Sequence, residues 1–396
     1  MLITNAKICD VNGERSADVL IENGVITAIG SHLSSDEVLD AQGAYLLPSL
    51  VDTNIRLVDS HLNSKNIERL SLDALKGGIG HIVLNADSQP SIDNEVVLEF
   101  AQHGVASAKG AKVDLMLNTL KEDMTLSNIA ILLKKGVVAP YMSTIAKNNI
   151  AIKIAEYVQM YDVTLFCKAE DNSLINAGVM LDGDVSSKLG LAGIPNLSEV
   201  LHVSRMIEIA RHFKIKILFK SIASPRSVAL IAQAKEEGVL VSCEVSIHHL
   251  LHADESCEGF NTLAKLDPPL ASVEDVKLLQ KALQNGEIDV LTTLHQPSSP
   301  VNKEVAFYDA AYGCSGVTNA LSLYYTKLVK SGIIDLATLL KLTVENPAKS
   351  IQKRAGYIEV GATADLVLFD TTQSVVLKDC GSLYNEEELV GVVKSV

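Results

Sequence analysis

Three histidines fall within five residues at His248-His249-x-x-His252, close enough on one side of a turn or helix to converge on a metal ion. The competing reading is a set of hydrogen-bonded structural histidines. Other residues able to do chemistry are dispersed: Arg56, Asp87, Lys168, Glu170, Asp267 and His295 lie in separate segments and act together only if the fold gathers them. A lysine drawn into such a site could be tuned by burial, but no base and hydroxide source stand beside it in the chain. The six cysteines, Cys9, Cys167, Cys243, Cys257, Cys314 and Cys380, include no C-x-x-C pair. Neither a zinc knuckle nor a disulfide framework is indicated, and reduced, mostly buried thiols are expected. Gly77-Gly78 and the glycines at 190 and 193 match no dinucleotide or P-loop pattern, so they are expected to serve turns.

The elements that must position these residues follow from the patterning. Near both ends the chain alternates or runs apolar around turn signals, at residues 2 to 9, 17 to 29, 356 to 370 and 374 to 377, which suggests short strands and turns rather than helices. The two ends are expected to form one small β-sandwich domain, residues 1–49 plus 355–396. Between them, strand-like apolar runs alternate with longer amphipathic stretches, the pattern of repeated β-α units. Eight candidate strands lie near residues 50 to 56, 80 to 86, 112 to 117, 135 to 141, 162 to 168, 214 to 220, 239 to 245 and 288 to 294. Helices are expected over Ile145 to Met160 and Ser224 to Gly238, where apolar residues recur at three- and four-residue spacing. The fold class is therefore α/β, a (β/α)8 TIM-like barrel over residues 50–354, with its chemistry at the C-terminal ends of the strands.

Composition narrows the function. The chain has 396 residues, is 47% hydrophobic and carries a formal charge of −14, which opposes binding to nucleic acid or anionic lipid. No apolar run reaches the roughly 18 to 20 residues of a membrane span, and the N-terminus lacks the features of a secretion signal, so a soluble cytoplasmic protein is expected. The acidic stretch Asn385-Glu-Glu-Glu reads most economically as a solvated terminus, with an interaction surface as the alternative.

Several segments carry a resemblance. Leu47-Pro-Ser-Leu-Val-Asp-Thr-Asn-Ile-Arg-Leu-Val is similar to the first-strand motif of dihydroorotases, L-P-G-F/L-I/V-D-x-H-x-H-x-R. Gly77-Gly-Ile-Gly-His-Ile-Val-Leu-Asn-Ala-Asp-Ser-Gln-Pro, Ser186-Ser-Lys-Leu-Gly-Leu-Ala-Gly-Ile-Pro and the run from Ala234 to Leu250 resemble later family segments in order, as do Asp267-Pro-Pro-Leu, Asn346-Pro-Ala-Lys and Ala362-Thr-Ala-Asp-Leu-Val-Leu-Phe-Asp. The resemblance covers nearly the whole chain. It implies an amidohydrolase barrel and a reaction, the reversible ring closure of N-carbamoyl-L-aspartate to dihydroorotate, that uses zinc-bound hydroxide, a Lewis-acid cation and an Asp base.

The same resemblance implies that this chemistry is missing. Asn54 and Arg56 stand at the two first-strand histidine positions, Met142 and Ser143 at the strand-4 carboxylate, Lys168 and Ser221 at the remaining histidines, and Leu294 at the catalytic Asp. The substrate-carboxylate anchors fall on Val58, Asp87, Asp267 and Ala271, which should repel a dicarboxylate. His248 and His249 match a segment outside the metal set, which favours their structural reading, and His295 reads as residual pocket wall. A residual pocket is expected from Arg56, Asp87, Lys168, His248, His295 and Asp267, with Arg56 and Lys168 offsetting acids such as Asp87 or Glu170. No cofactor is expected, and no catalytic residue. The chain resembles zinc-ligand-deficient homologues that assemble with aspartate carbamoyltransferase, so an oligomeric, non-catalytic partner of that enzyme is the expected role. The alternatives are a cyclic-amide hydrolase with an atypical site and a metabolite sensor.

Overall fold

The computed structural model describes residues 1–378 and 381–395. Its centre is an eight-stranded parallel sheet curled into a barrel, with strands in sequential order. These strands are β1 (Leu50–Ile55), β2 (Ile79–Leu84), β3 (Lys112–Asn118), β4 (Ala139–Met142), β5 (Thr164–Lys168), β6 (Lys216–Lys220), β7 (Val241–Ser246) and β8 (Val290–Thr292). All eight segments read as strands from the sequence are strands here. Most are short and buried on both faces, because side chains fill the barrel on one side and helices cover the other. The fourth is shorter than the pattern suggested. Residues 135–138 instead close the preceding helix Ile129–Lys134, with Gly136 taking a left-handed φ of 95° that a continuing strand would forbid. The expected helices occupy Asn148–Tyr161 and Pro225–Glu236.

Two further sheets draw on both chain ends. One has the order Val25–Gly30, Asp18–Glu22, Leu2–Thr4, Val38–Asp40; the other runs Glu388–Ser395, Leu366–Val376, Tyr45–Pro48, Lys7–Asp10, Gly13–Ser16. Ile3, Val19 and Ile26 of the first share a buried core with Ile8, Leu46 and Leu368 of the second, so the sheets pack face to face as a sandwich. The stretch read as strands and turns is both: residues 356–365 are turns and irregular backbone with one bridge from Thr363 to Val25, and the strand begins at Leu366. The acidic stretch is solvated, with Asn385, Glu386 and Glu388 exposed, but it is also tied to the fold: half-buried Glu387 pairs with Lys327, and Glu388 opens a strand laid against Leu366–Val376. Five cysteines are buried free thiols, and Cys380 lies outside the described residues. Among the described residues no helix is long and apolar enough to cross a membrane.

A third, smaller core lies beyond the barrel. The excursions that follow β5, β7 and β8 bury Met180, Leu191, Cys257, Leu266, Phe307 and Cys314 against one another, forming a canopy at the C-terminal end of the barrel. Lys265 and Lys303 are buried within it. The Lys265 ammonium donates to the carbonyls of Phe307 (2.7 Å) and Tyr308 (2.8 Å), and that of Lys303 to Thr262 (2.8 Å) and Ala311 (2.7 Å).

The barrel closes through side chains as well as backbone. Between β8 and β1 the backbone contributes a bridge at Ile55 and His295, where Arg56 N donates to His295 O at 2.8 Å. Deeper in the seam, the Asp52 carboxylate accepts from Thr293 N (2.9 Å) and Thr293 Oγ1 (2.6 Å). Burial pushes the Asp52 pKa up to about 6 despite these bonds and the one from Asn54 N. The folded state thus holds this proton more tightly than the unfolded chain. The stability the group contributes is complete below an unfolded value near ~4 and is lost as pH rises through about 6, a change of about 3 kcal/mol. Urea titrations of the wild type and Asp52→Asn should show the wild type losing about that much relative to the variant between pH 4 and 7. A pH-independent difference would remove Asp52 from this role.

Candidate functional site

The alternation of a strand sends Asp52, Asn54 and Arg56 of the first barrel segment to one side, into the barrel, where they meet the ends of the other strands. Glu244 of β7 is fully buried there. Its carboxylate accepts from Asn54 Nδ2 (2.5 Å), Thr53 Oγ1 (3.2 Å) and Ser221 N (3.2 Å). Asn54 Nδ2 also donates to Ser221 Oγ (2.6 Å), while Asn54 Oδ1 accepts from Asn85 Nδ2 (3.0 Å). Lys220 of β6 donates to Thr53 O (2.7 Å) and Asn85 Oδ1 (2.5 Å), with its ammonium 4.9 Å from the Tyr141 ring centre and 5.6 Å from that of Phe166. Burial lowers its pKa to about 8, an effect that Glu244 partly offsets.

Above this layer lie two ion clusters. Arg56 reaches Asp87 Oδ2 through Nη2 (2.8 Å) and Nε (3.1 Å), and its Nη2 also meets the Tyr141 hydroxyl at 3.3 Å. Lys168 donates to Asp267 Oδ2 (2.8 Å) and Glu170 Oε1 (3.2 Å). Burial alone would lower both cations' pKa values, but the acids override it, Asp87 foremost for Arg56 and Asp267 for Lys168, and both values rise. Both side chains are therefore charged and tied down.

Of the residues expected to form one residual pocket, Arg56, Asp87, Lys168 and Asp267 meet in these clusters, whereas His248 and His295 are packed elsewhere. Asp87 borders an open cleft of about 630 Å³ with Ser143, Asn118 and Lys121. His248 is fully buried, with Nδ1 3.1 Å from the Tyr384 hydroxyl and Nε2 3.4 Å from Cys314 Sγ, and burial lowers its pKa to about 3. His295 is buried too; its Nδ1 accepts from Gly316 N at 3.1 Å, and burial lowers its pKa to about 4. Both are neutral packing residues, as is His249, held by Ser246 and the Pro268 carbonyl. Asp267 is occupied by Lys168, Ala271 is buried, and Met142 is wholly enclosed in the core. Ser143 donates to Asn118.

Sequence reading missed Lys220, Glu244, Asn85 and Tyr141. A signal was available: Lys220 closes the apolar run Ile217–Phe219 and Glu244 sits inside the mainly apolar Val241–Val245, and a charge inside a parallel barrel strand must be met within the barrel. Ser221 and the buried Leu294 also have positive φ, 51° and 46°. For a leucine this is a strained backbone, of a kind that concentrates at the functional ends of elements.

A zinc centre of the kind dihydroorotases use does not fit these residues. Arg56 and Lys168 offer protons rather than lone pairs, and Asn54 and Ser221 are engaged with each other and with Glu244. Among the described residues no group of three or more His, Cys, Asp or Glu gathers at one point.

Comparison with known proteins places this architecture. The Amidohydrolase family profile matches residues 45–395, and the chain belongs to that family. Its relatives include a dihydroorotase of Caldanaerobacter subterraneus subsp. tengcongensis, 33% identical over 414 residues that span 100% of this chain and 95% of the relative. A protein of Pseudomonas aeruginosa named "Dihydroorotase-like protein" is 31% identical over 385 residues, 94% of this chain and 90% of that one. Among solved structures, the L-hydantoinase (dihydropyrimidinase) of Arthrobacter aurescens superposes with a TM-score of 0.86 at 21% identity, covering 99% of this chain and 93% of that one, and so shares the fold.

The Arg56–Asp87 pair can be tested directly. Asp87→Ala strands a buried guanidinium and should cost roughly 3 kcal/mol in urea denaturation. Arg56→Met with Asp87→Ala should recover most of that loss, since an apolar replacement leaves no unpaired charge. A double variant no more stable than Asp87→Ala would show that the pairing is not what holds the mouth.

Proposed function

We propose that the chain is a catalytically degenerate dihydroorotase homologue with a non-catalytic role in pyrimidine biosynthesis, as a structural or regulatory partner of aspartate carbamoyltransferase. The observation that carries this reading is the pair of ion clusters at the barrel mouth, in which Arg56 and Lys168 are bound by Asp87, Asp267 and Glu170. Fixed cationic side chains take the positions that the family resemblance assigns to zinc ligands, and a guanidinium or ammonium has no coordination site on which to acidify a water as a metal ion does. Leu294, at the position assigned to the general base, cannot take a proton. Partnership with aspartate carbamoyltransferase rests on the resemblance to ligand-deficient homologues.

The relatives support a second reading at least as well. Relatives such as those of Caldanaerobacter subterraneus subsp. tengcongensis and Elusimicrobium minutum carry the name dihydroorotase, so a dihydroorotase or other cyclic-amide hydrolase with an atypical site is the alternative, and any hydrolysis by this chain would be of cyclic-amidohydrolase type. A metabolite sensor using the same cations is a third use of the mouth, which millimolar orotate, dihydroorotate or carbamoyl aspartate would reveal by raising the melting temperature.

Two measurements separate these readings. Protein purified without chelator should contain far less than one zinc per chain and should convert neither dihydroorotate nor carbamoyl aspartate, with or without added zinc. Mixed with aspartate carbamoyltransferase of the same organism, it should elute as a stoichiometric complex by size-exclusion chromatography with light scattering. Stoichiometric zinc with turnover would establish the alternative, and two unshifted peaks would remove the partnership.

A further inference from the structure

We propose that the outer face of the canopy is a docking surface for a protein whose contact patch has an apolar centre and a basic rim. The canopy sorts its charges by direction. Its lysines at 265 and 303 point inward and are spent on backbone carbonyls. Its outward charges in residues 178–196, 254–264 and 296–312 are Asp182, Asp184, Glu255, Glu258, Glu304 and Asp309, against the single exposed base Lys188, itself paired with Glu258. This face is therefore acidic whatever the rest of the surface carries.

Apolar side chains stand among those acids. Val301 is 80% exposed and Phe260 52% exposed, with Val305 and Tyr308 nearby in sequence and also exposed. Hydrogen bonds join the segments that carry them: Thr262 Oγ1 donates to Lys303 O at 2.9 Å, Lys303 Nζ returns to Thr262 O, and Ala192 N donates to the Tyr308 hydroxyl at 2.8 Å. Phe260 also follows Gly259 through a left-handed turn, with φ of 71° and 60°. An aromatic residue held in that conformation and turned to solvent is strained and unburied at once, a combination that a binding role explains and packing does not.

Charge chooses the occupant. A second copy of this chain would bring the same acidic face and a formal charge of −14, nucleic acid and anionic lipid are repelled, and a basic-rimmed protein surface is complementary. The identity of that protein rests on the functional reading above, aspartate carbamoyltransferase; the surface is what the canopy adds.

Biolayer interferometry with immobilised aspartate carbamoyltransferase and the full chain tests both parts. Phe260→Glu and Val301→Glu should each weaken binding by about tenfold or more without lowering the melting temperature, because both side chains are exposed. Glu304→Lys with Asp309→Lys should slow association, and Val96→Glu, on the exposed apolar stripe of helix Glu95–Ser107, should leave binding unchanged. If the wild type binds and the canopy variants bind equally well, or if Val96→Glu alone abolishes binding, the docking surface is wrong and the functional reading stands. If the wild type does not bind, both fall.

Discussion

A charge inside a protein must be met by an opposite charge or by hydrogen bonds, and the mouth of this barrel is arranged around that constraint. Five strands and their following loops each deliver a charged group to it: Arg56 from β1, Asp87 after β2, Lys168 with Glu170 from β5, Lys220 from β6 and Glu244 from β7. No strand could keep its charge buried alone. The groups stabilise one another only when the barrel is closed, so the polar layer and the barrel geometry depend on each other.

The seam between β8 and β1 follows the same logic. Asp52 takes up a backbone N–H and a hydroxyl from Thr293 across a gap where the sheet supplies an isolated bridge. The sandwich extends the tie to the chain ends. Asp10 accepts from Ile358 N at 3.0 Å and pairs with Arg15, while Leu47 lies opposite Val367, so residues more than 300 apart in sequence share one sheet just before the first barrel strand begins. The start of β1, and with it the direction of Asn54 and Arg56, is thereby fixed from outside the barrel.

The canopy solves a different problem. Long excursions after barrel strands carry backbone groups that need partners, and Lys265 and Lys303 supply them by donating to four carbonyls from within. Turning these cations inward leaves the acids outside. The charge of the outer face is thus a consequence of how the loops are held together.

Much of the fold was legible in the chain. Apolar runs of strand length separated by amphipathic stretches are a local property, and all eight barrel strands could be placed from it; where strand 4 was misplaced, a left-handed Gly136 had ended a helix, and φ is not written in hydropathy. Residue types were legible too, since a guanidinium at Arg56 and an aliphatic side chain at Leu294 have no lone pair to give a metal or a proton, whereas the charge of Lys168 is settled by its acidic partners. What only the tertiary structure decided is pairing. That Arg56 meets Asp87, that Lys168 takes Asp267, that Lys220 rests over Tyr141 and that His248 turns to Tyr384 all depend on contacts between segments 31 to 136 residues apart, which barrel closure and the docking of the C-terminal segment create and no local pattern encodes.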